Sequence, residues 1–277
     1  MNETFWEKFP VSEYDKRREI CGLMNDWANE FASVVMKDPN DGKIYKGSEF
    51  FCWDGFYPYY FRQKRKILFI AREPVSIAGY DYIELLLDAY NNNKNVGTQS
   101  LDQSLFHRRM MYVAYGILQD GKPSYRELPY ASKIAADFGT EKGISFAFME
   151  LSKYSNEDKT ANQNRDIGLM NAFLRDSNLE KRNFFQEELS ILAPDIVITM
   201  NLWDNGIERR YLDLAFGNLT YVEGSQTPKT SLNFITINGK ETPLIDLFHF
   251  SKPGSDEAGY YNPVMDIIKN HLNWDKN

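Results

Sequence analysis

Two short segments of this 277-residue chain hold the side chains best suited to chemistry. Ala71-Arg72-Glu73-Pro74-Val75-Ser76 supplies a carboxylate beside a guanidinium, and His249-Phe250-Ser251-Lys252-Pro253-Gly254-Ser255 supplies an imidazole, an ammonium and hydroxyls. Brought to one rim, these groups suit acid–base work and the stabilisation of developing charge. Neither segment is a P-loop or a dinucleotide fingerprint, because the first lacks the glycines and the lysine-threonine pair that those phosphate cradles need. Mononucleotide hydrolysis and hydride transfer are disfavoured accordingly. Cys21 and Cys52 are too few for a disulfide framework, a four-cysteine zinc site or an all-thiolate iron–sulfur cluster. No two histidines have metal-ligand spacing, so neither a metal nor a cofactor is expected.

The elements that must position these segments alternate from Lys66 onward. Short runs rich in Ile, Val and Phe are separated by stretches with apolar residues at helical spacing, which predicts βα units around a mostly parallel sheet. The strands are Ile67–Ala71, Ser145–Glu150 and Asp195–Met200, followed by Phe234–Ile237, a tight turn at Asn238-Gly239, and a return through Leu244–His249. Helices are predicted to carry Ile83, Leu86, Leu87 and Tyr90 on one face, then Phe106, Met110, Val113 and Ile117 on another, the second opening at Ser100. Others span Tyr130–Phe138, Gln163–Arg175, Leu179–Leu192 and Trp203–Leu214, and a last one opens at Asn262-Pro263. The expected fold is a three-layer α/β/α sandwich with about four mostly parallel strands plus a hairpin. Ligands of such sheets bind beyond the carboxyl ends of the strands, here Ala71–Ser76, Glu150–Asn156, Asn201–Asn205 and His249–Ser255. Residues 1–277 read as one domain, with 1–60 as a helical, aromatic-rich N-terminal extension.

Composition narrows the function classes. With 43% hydrophobic, 15% aromatic and 26% charged residues, the chain has the makings of a packed core, which excludes disorder as its main state. A net charge of -7 argues against a surface that coats polyanions, while leaving room for DNA in a local basic groove. Met1–Pro10 has no basic segment leading into an apolar one, and no apolar run approaches the roughly eighteen residues of a membrane span. A cytoplasmic, reducing setting without membrane association is expected.

At these residues the chain resembles the uracil-DNA glycosylase superfamily. Ile67 to Val75 is similar to that family's first strand and water-handling loop, with Glu73-Pro74 on its Asp-Pro pair, and His249-Phe250-Ser251 partly matches its His-Pro-Ser loop. Phe148-Met149-Glu150-Leu151-Ser152-Lys153 is similar to the base-reading strand, and Leu192 to Thr199 to the helix, proline and third strand before the final loop. The resemblance covers about Lys66 to Leu272. It implies cleavage of a base from a sugar, with Glu73 orienting water or stabilising the sugar cation and His249 stabilising the leaving base. Arg72, Pro74, Glu150, Ser251 and Lys252 would contact substrate. The chain departs from the pattern at Ala71, where the family has a glycine, at Glu150, where it has an asparagine, and at Phe250, where it has a proline.

Each feature also has a plainer structural account. Phe51, Trp53, Phe56 and Tyr57, followed by Arg62, Lys64, Arg65 and Lys66, suit base stacking beside phosphates, yet core packing next to a solvated basic edge explains them more simply. Asp54-Gly55 is then only a turn, Ser152 and Lys153 are solvated, and His107 and His271 are packing residues. The competing functions are a glycosylase-like scaffold that binds a nucleotide, nucleic acid or protein without cleavage, and a small-molecule hydrolase that lacks the basic groove.

Overall fold

Apolar runs without polar alternation can be hydrogen-bonded only where both faces of a strand are covered, and that is where this chain places them. The computed structural model describes residues 3–37, 44–157, 167–203 and 206–272. Its central sheet contains β1 (Gly55–Phe56), β2 (Ile67–Ala71), β3 (Ala147–Glu150), β4 (Ile196–Met200), β5 (Thr220–Gln226), β6 (Lys229–Ile237) and β7 (Lys240–Leu247). The spatial order is β1-β3-β2-β4-β7-β6-β5. The four inner strands β3, β2, β4 and β7 are mutually parallel, with Leu68 opposite Ala147, Ile67 opposite Ile196 and Leu244 opposite Val197. Every residue of β2, β3 and β4 is buried.

The α/β class is as the sequence indicates, but the sheet is larger and more mixed than about four mostly parallel strands with a hairpin. The hairpin at Asn238-Gly239 is present, both residues at positive φ, and joins β6 to β7. Beyond it lies β5, a strand exposed at every residue, and at the other edge is the two-residue β1, antiparallel to β3. Polar Thr-Tyr-Val-Glu-Gly-Ser-Gln has no apolar face to announce a strand; pairing with β6 makes it one. Its exposure also means that helices do not cover the sheet from edge to edge, so the expected layering stops short of β5.

The longer helices are α1 (Tyr14–Glu30), α2 (Tyr82–Asn91), α3 (Leu105–Leu118), α4 (Ile167–Asp176), α5 (Phe184–Leu192), α6 (Arg209–Phe216) and α7 (Asn262–His271). They pack as two groups: α1 on α5, α5 on α6 and α6 on α4, and separately α3 on α7 and on the short helix Ala131–Ala135, which also touches α2. Several ends differ from the sequence expectation. Ser100 and Gln103 do bond to each other, but α3 starts only after Ser104. A π-turn at Glu257–Tyr261 leads into α7. His271 pairs with Glu223 at 2.9 Å rather than packing. The predicted Gln163–Asp166 and Asp204–Asn205 lie outside the described residues.

Much of the described part of the first 60 residues is built into the core. Trp27 stacks on Phe184 at 5.2 Å and Phe173 at 5.5 Å, while buried Arg17 pairs with Asp81, whose other oxygen caps α2 by accepting from the Ile83 and Glu84 amides. Phe51, Phe56 and Tyr57 are completely buried and pack the interior, with Trp53 partly buried against them. Two residues expected to be a turn and a solvated cation are instead a buried ion pair: Lys153 Nζ lies 2.7 Å from Asp54, 2.9 Å from Glu188 and 5.0 Å from the Trp27 ring. Ser152, also expected in solvent, is buried. Burial is the largest cause raising the Glu188 pKa, and the Asp54 carboxylate adds to it.

Removing the ammonium strands acidic groups in the core. Lys153→Met is therefore expected to lose about 3–5 kcal/mol of stability in urea unfolding. Glu188→Gln keeps an acceptor and removes the surplus carboxyl, and is expected to cost less than about 1.5 kcal/mol.

Candidate active site

In chain order the four parallel strands stand second, first, third, fourth across the sheet. The chain leaves β2 toward β3 on one side and returns to β4 on the other, and diverging connections of this kind open a crevice at the carboxyl end of the first strand. A cavity of about 830 Å³ lies there, within the range of ligand pockets, about 300–1,000 Å³. Arg72, Glu73 and Pro74 line it from the end of β2, Glu150 from the end of β3, and His249, Ser251 and Lys252 from the loop after β7. The sequence-predicted site residues thus share one concavity, although they come from segments far apart in the chain. Asn201 from the end of β4 joins them.

The walls are aromatic. Tyr82 lines the cavity and stacks on Phe148 at 4.5 Å with 13° between the planes; Phe106 and Phe248 line it too, and the Phe106 ring lies 5.5 Å from the His249 ring. Ala71 and Glu150 are almost wholly buried, Glu73 and His249 are half-buried, and Ser251 and Lys252 are exposed on the lip. His107, expected to be packing, also lines the cavity; its Nδ1 meets the Tyr90 hydroxyl at 2.7 Å, and burial pushes its pKa down to about 3. It is a neutral ring.

Three rim segments are each held by a buried charge. The loop after β2 is laced to the segment after β3: Leu151 donates to Ala71 O, Ser152 to Arg72 O, and Asn156 to Pro74 O at 2.8 Å. That segment is fixed in turn by Asp54, which accepts the Glu150 amide at 2.6 Å and the Lys153 ammonium. The turn after β4 is fixed by Asp246, whose Oδ1 accepts from the Thr199 hydroxyl at 2.7 Å and the Asn201 amide at 3.0 Å. Burial raises the Asp246 pKa to about 6 despite these donors. The loop after β7 is fixed by Arg109, whose guanidinium donates to the carbonyls of Phe250, Lys252 and Gly254 and to Asp256, and lies 3.8 Å from the Tyr260 ring centre. Phe250, which departs from the expected proline, is a core anchor packed on Phe69 and Tyr260.

This anchoring sets the chemistry of the imidazole. The Ser251 amide donates to His249 Nδ1 at 3.3 Å, so the neutral ring carries its proton on Nε2 and is a donor there. Ser76 and Asn201, both lining the cavity, hold left-handed φ values of 57° and 61°, conformations that non-glycine residues adopt where surrounding contacts impose them.

The basic residues before β2 are not at this rim, in keeping with the simpler account of them as a basic edge. Lys66 begins β2, at the opposite end from the cavity, and pairs with Asp195, while Lys64 pairs with Asp120 and Arg62 lies 3.8 Å from Glu141. The cavity's own cations are Arg72 and Lys252; Glu73 and Glu150 line it as acids, and burial is the largest cause holding the Glu150 carboxyl well above its usual range. Among the described residues no cluster of His, Cys, Asp and Glu is arranged to hold a metal ion, and no helix is long and apolar enough to cross a membrane. No protein-family model, curated protein or solved structure matches the chain.

Arg109, Asp246 and Asp54 are the residues the sequence reading missed. The first two had a signal: a charge among Phe106, Met110 and Val113 on the apolar face of α3, and an acid inside Leu244-Ile245-Asp246-Leu247-Phe248.

Arg109→Leu removes the guanidinium donors to the carbonyls of Phe250, Lys252 and Gly254. Amide exchange over residues 250–256 is expected to accelerate at least ~10-fold while β2 and β4 stay protected. The Asp246 carboxyl, near 6 when folded against about 3.9 unfolded, disfavours the folded state once ionised, a penalty absent below pH 4 and complete above pH 6. Asp246→Asn is thus expected to raise stability at pH 7, by at most about 3 kcal/mol, and to leave it unchanged at pH 4 in paired thermal melts.

Proposed function

We propose that this chain is a divergent member of the uracil-DNA glycosylase superfamily, a hydrolase that cleaves the N-glycosidic bond of a damaged or deaminated base. One observation carries the reading: Glu73 and His249, the carboxylate and imidazole that the resemblance pairs, line the same aromatic-walled cavity at the switch point of the sheet. Breaking a base–sugar bond leaves positive charge on the sugar and sends the bonding electrons to the base. Glu73 orients the water that adds to the sugar and accepts its proton, while His249 Nε2–H donates to the base oxygen on which negative charge develops. Tyr82 and Phe106 hold the flipped ring, Pro74 shapes the water loop, Glu150 meets the ring edge, and Arg72, Ser251 and Lys252 engage neighbouring phosphates. Cys21 and Cys52 are both buried, which suits a reducing cytoplasm.

A second reading, a scaffold of the same kind that binds a nucleotide, nucleic acid or protein without cleavage, is favoured by the small number of cations lining the cavity, Arg72 and Lys252. A long duplex needs more phosphate contacts than these two supply.

The deciding assay is cleavage of uracil-, hypoxanthine- and xanthine-containing oligonucleotides, single and double stranded. Glu73→Gln and His249→Ala are each expected to slow cleavage by about 10²-fold or more. A folded wild-type protein that cleaves none of these substrates would move the assignment to the binding reading.

A further inference from the structure

The far edge of the sheet carries a surface that shares no lining residue with the cavity. β5 is the last strand in the spatial order; among the described residues no strand pairs with its outer side, and it is exposed at every residue. The backbone N–H and C=O groups along such an edge are a template for another strand. Between the outer strands and α7 lies a cleft of about 290 Å³. Glu223 and Ser225 line it from β5, Thr230 from β6, and Asp266, Ile267 and Asn270 from one face of α7.

The cleft is rich in acceptors. No Lys or Arg lines it. Glu223 is met by His271 at 2.9 Å, while Asp266 is exposed and has no ion pair among the described residues. Thr230 is 6% exposed, yet its Oγ1 has no hydrogen-bond partner. A buried hydroxyl left in that state is one that a ligand's donor can satisfy.

We propose that β5 and this cleft form a docking surface for an extended basic peptide segment, which adds to the sheet as a further strand and sets a Lys or Arg side chain into the cleft. Successive side chains of an added strand alternate between the two faces, so every second one falls on the side where Glu223 and Ser225 meet α7. There an ammonium, with three donors and no acceptor, finds carboxylate and hydroxyl oxygens and no competing Lys or Arg. A register shift opposite Leu232 and Asn233 leaves Glu223–Gln226 as a regularly paired stretch, and its first three residues line the cleft.

Charge also chooses between a basic segment and a second copy of this chain. Glu223 is the middle residue of Thr220–Gln226, so two copies paired antiparallel about their centres bring Glu223 against its own counterpart. Like charges directly opposite destabilise such a pair, whereas a cation opposite stabilises it.

The test is fluorescence anisotropy of a labelled Thr-Lys-Val-Lys-Val-Lys-Thr peptide with the full chain. Beside it are run the counterpart with Glu for Lys, and two Lys peptides N-methylated at alternate residues, one at odd and one at even positions. The Lys peptide is expected to bind, and the Glu peptide to bind at least ~10-fold more weakly. An added strand turns only every second amide toward β5, so one methylated peptide is expected to stay within a few-fold and the other to lose at least ~10-fold. Glu223→Gln combined with Asp266→Asn, both at exposed positions, is expected to weaken the Lys peptide at least ~10-fold with an unchanged thermal melt. Amides of residues 220–226 are expected to gain exchange protection in the complex. No binding of the Lys peptide, equal affinity for the Glu peptide, identical behaviour of the two methylated peptides, or full affinity in the double variant would overturn the proposal. So would a dimer in sedimentation with those amides protected in the absence of peptide, which would assign the edge to a second copy.

Discussion

The Asp54 carboxylate is the contact from which the rest of the site follows. It lies in the core against Lys153 and accepts the backbone amide of Glu150, which fixes the end of β3. From that point order passes through main-chain hydrogen bonds: the residues after Glu150 bond to those after Ala71, and Glu73 stands where that lacing puts it. A neutral hydrogen bond would hold the same atoms less firmly, because a charged acceptor in low dielectric is the stronger partner.

The same device recurs around the rim. Asp246 gathers the turn after β4 and Arg109 gathers the loop after β7, each buried and each bonded directly to the backbone of the segment it holds. The ends of three parallel strands are therefore tied down by ionisable groups beneath the surface, and the lip residues Ser251 and Lys252 are free to be polar and exposed. A ligand entering such a cavity meets loops already ordered and has little of their conformational entropy to remove.

Much of this was legible in the amino-acid sequence. The inner strands and most helices declare themselves by apolar runs and helical spacing, and strand ends of a parallel sheet must share an edge, so Arg72, Glu73, Glu150 and His249 could be brought together before any coordinates. What resisted reading were elements and charges defined by remote partners. Thr220–Gln226 is a strand because β6 offers it an edge, and Gly55–Phe56 is too short to show a period. Asp54 and Lys153 look solvated in sequence because the partners that make burial tolerable lie far along the chain.

The strand order has a consequence for how the molecule comes to exist. Ile67–Ala71 is the earliest-made of the parallel strands, yet its neighbours on the two sides are Ala147–Glu150 and Ile196–Met200, both synthesised much later. Local pairing is confined in this sheet to the antiparallel run β5, β6 and β7. An apolar strand with two open edges must wait for distant chain to arrive, which makes for slow folding and an interval of exposure to misassembly. The strand that delivers the site's carboxylate is thus the first to leave the ribosome and among the last to be enclosed.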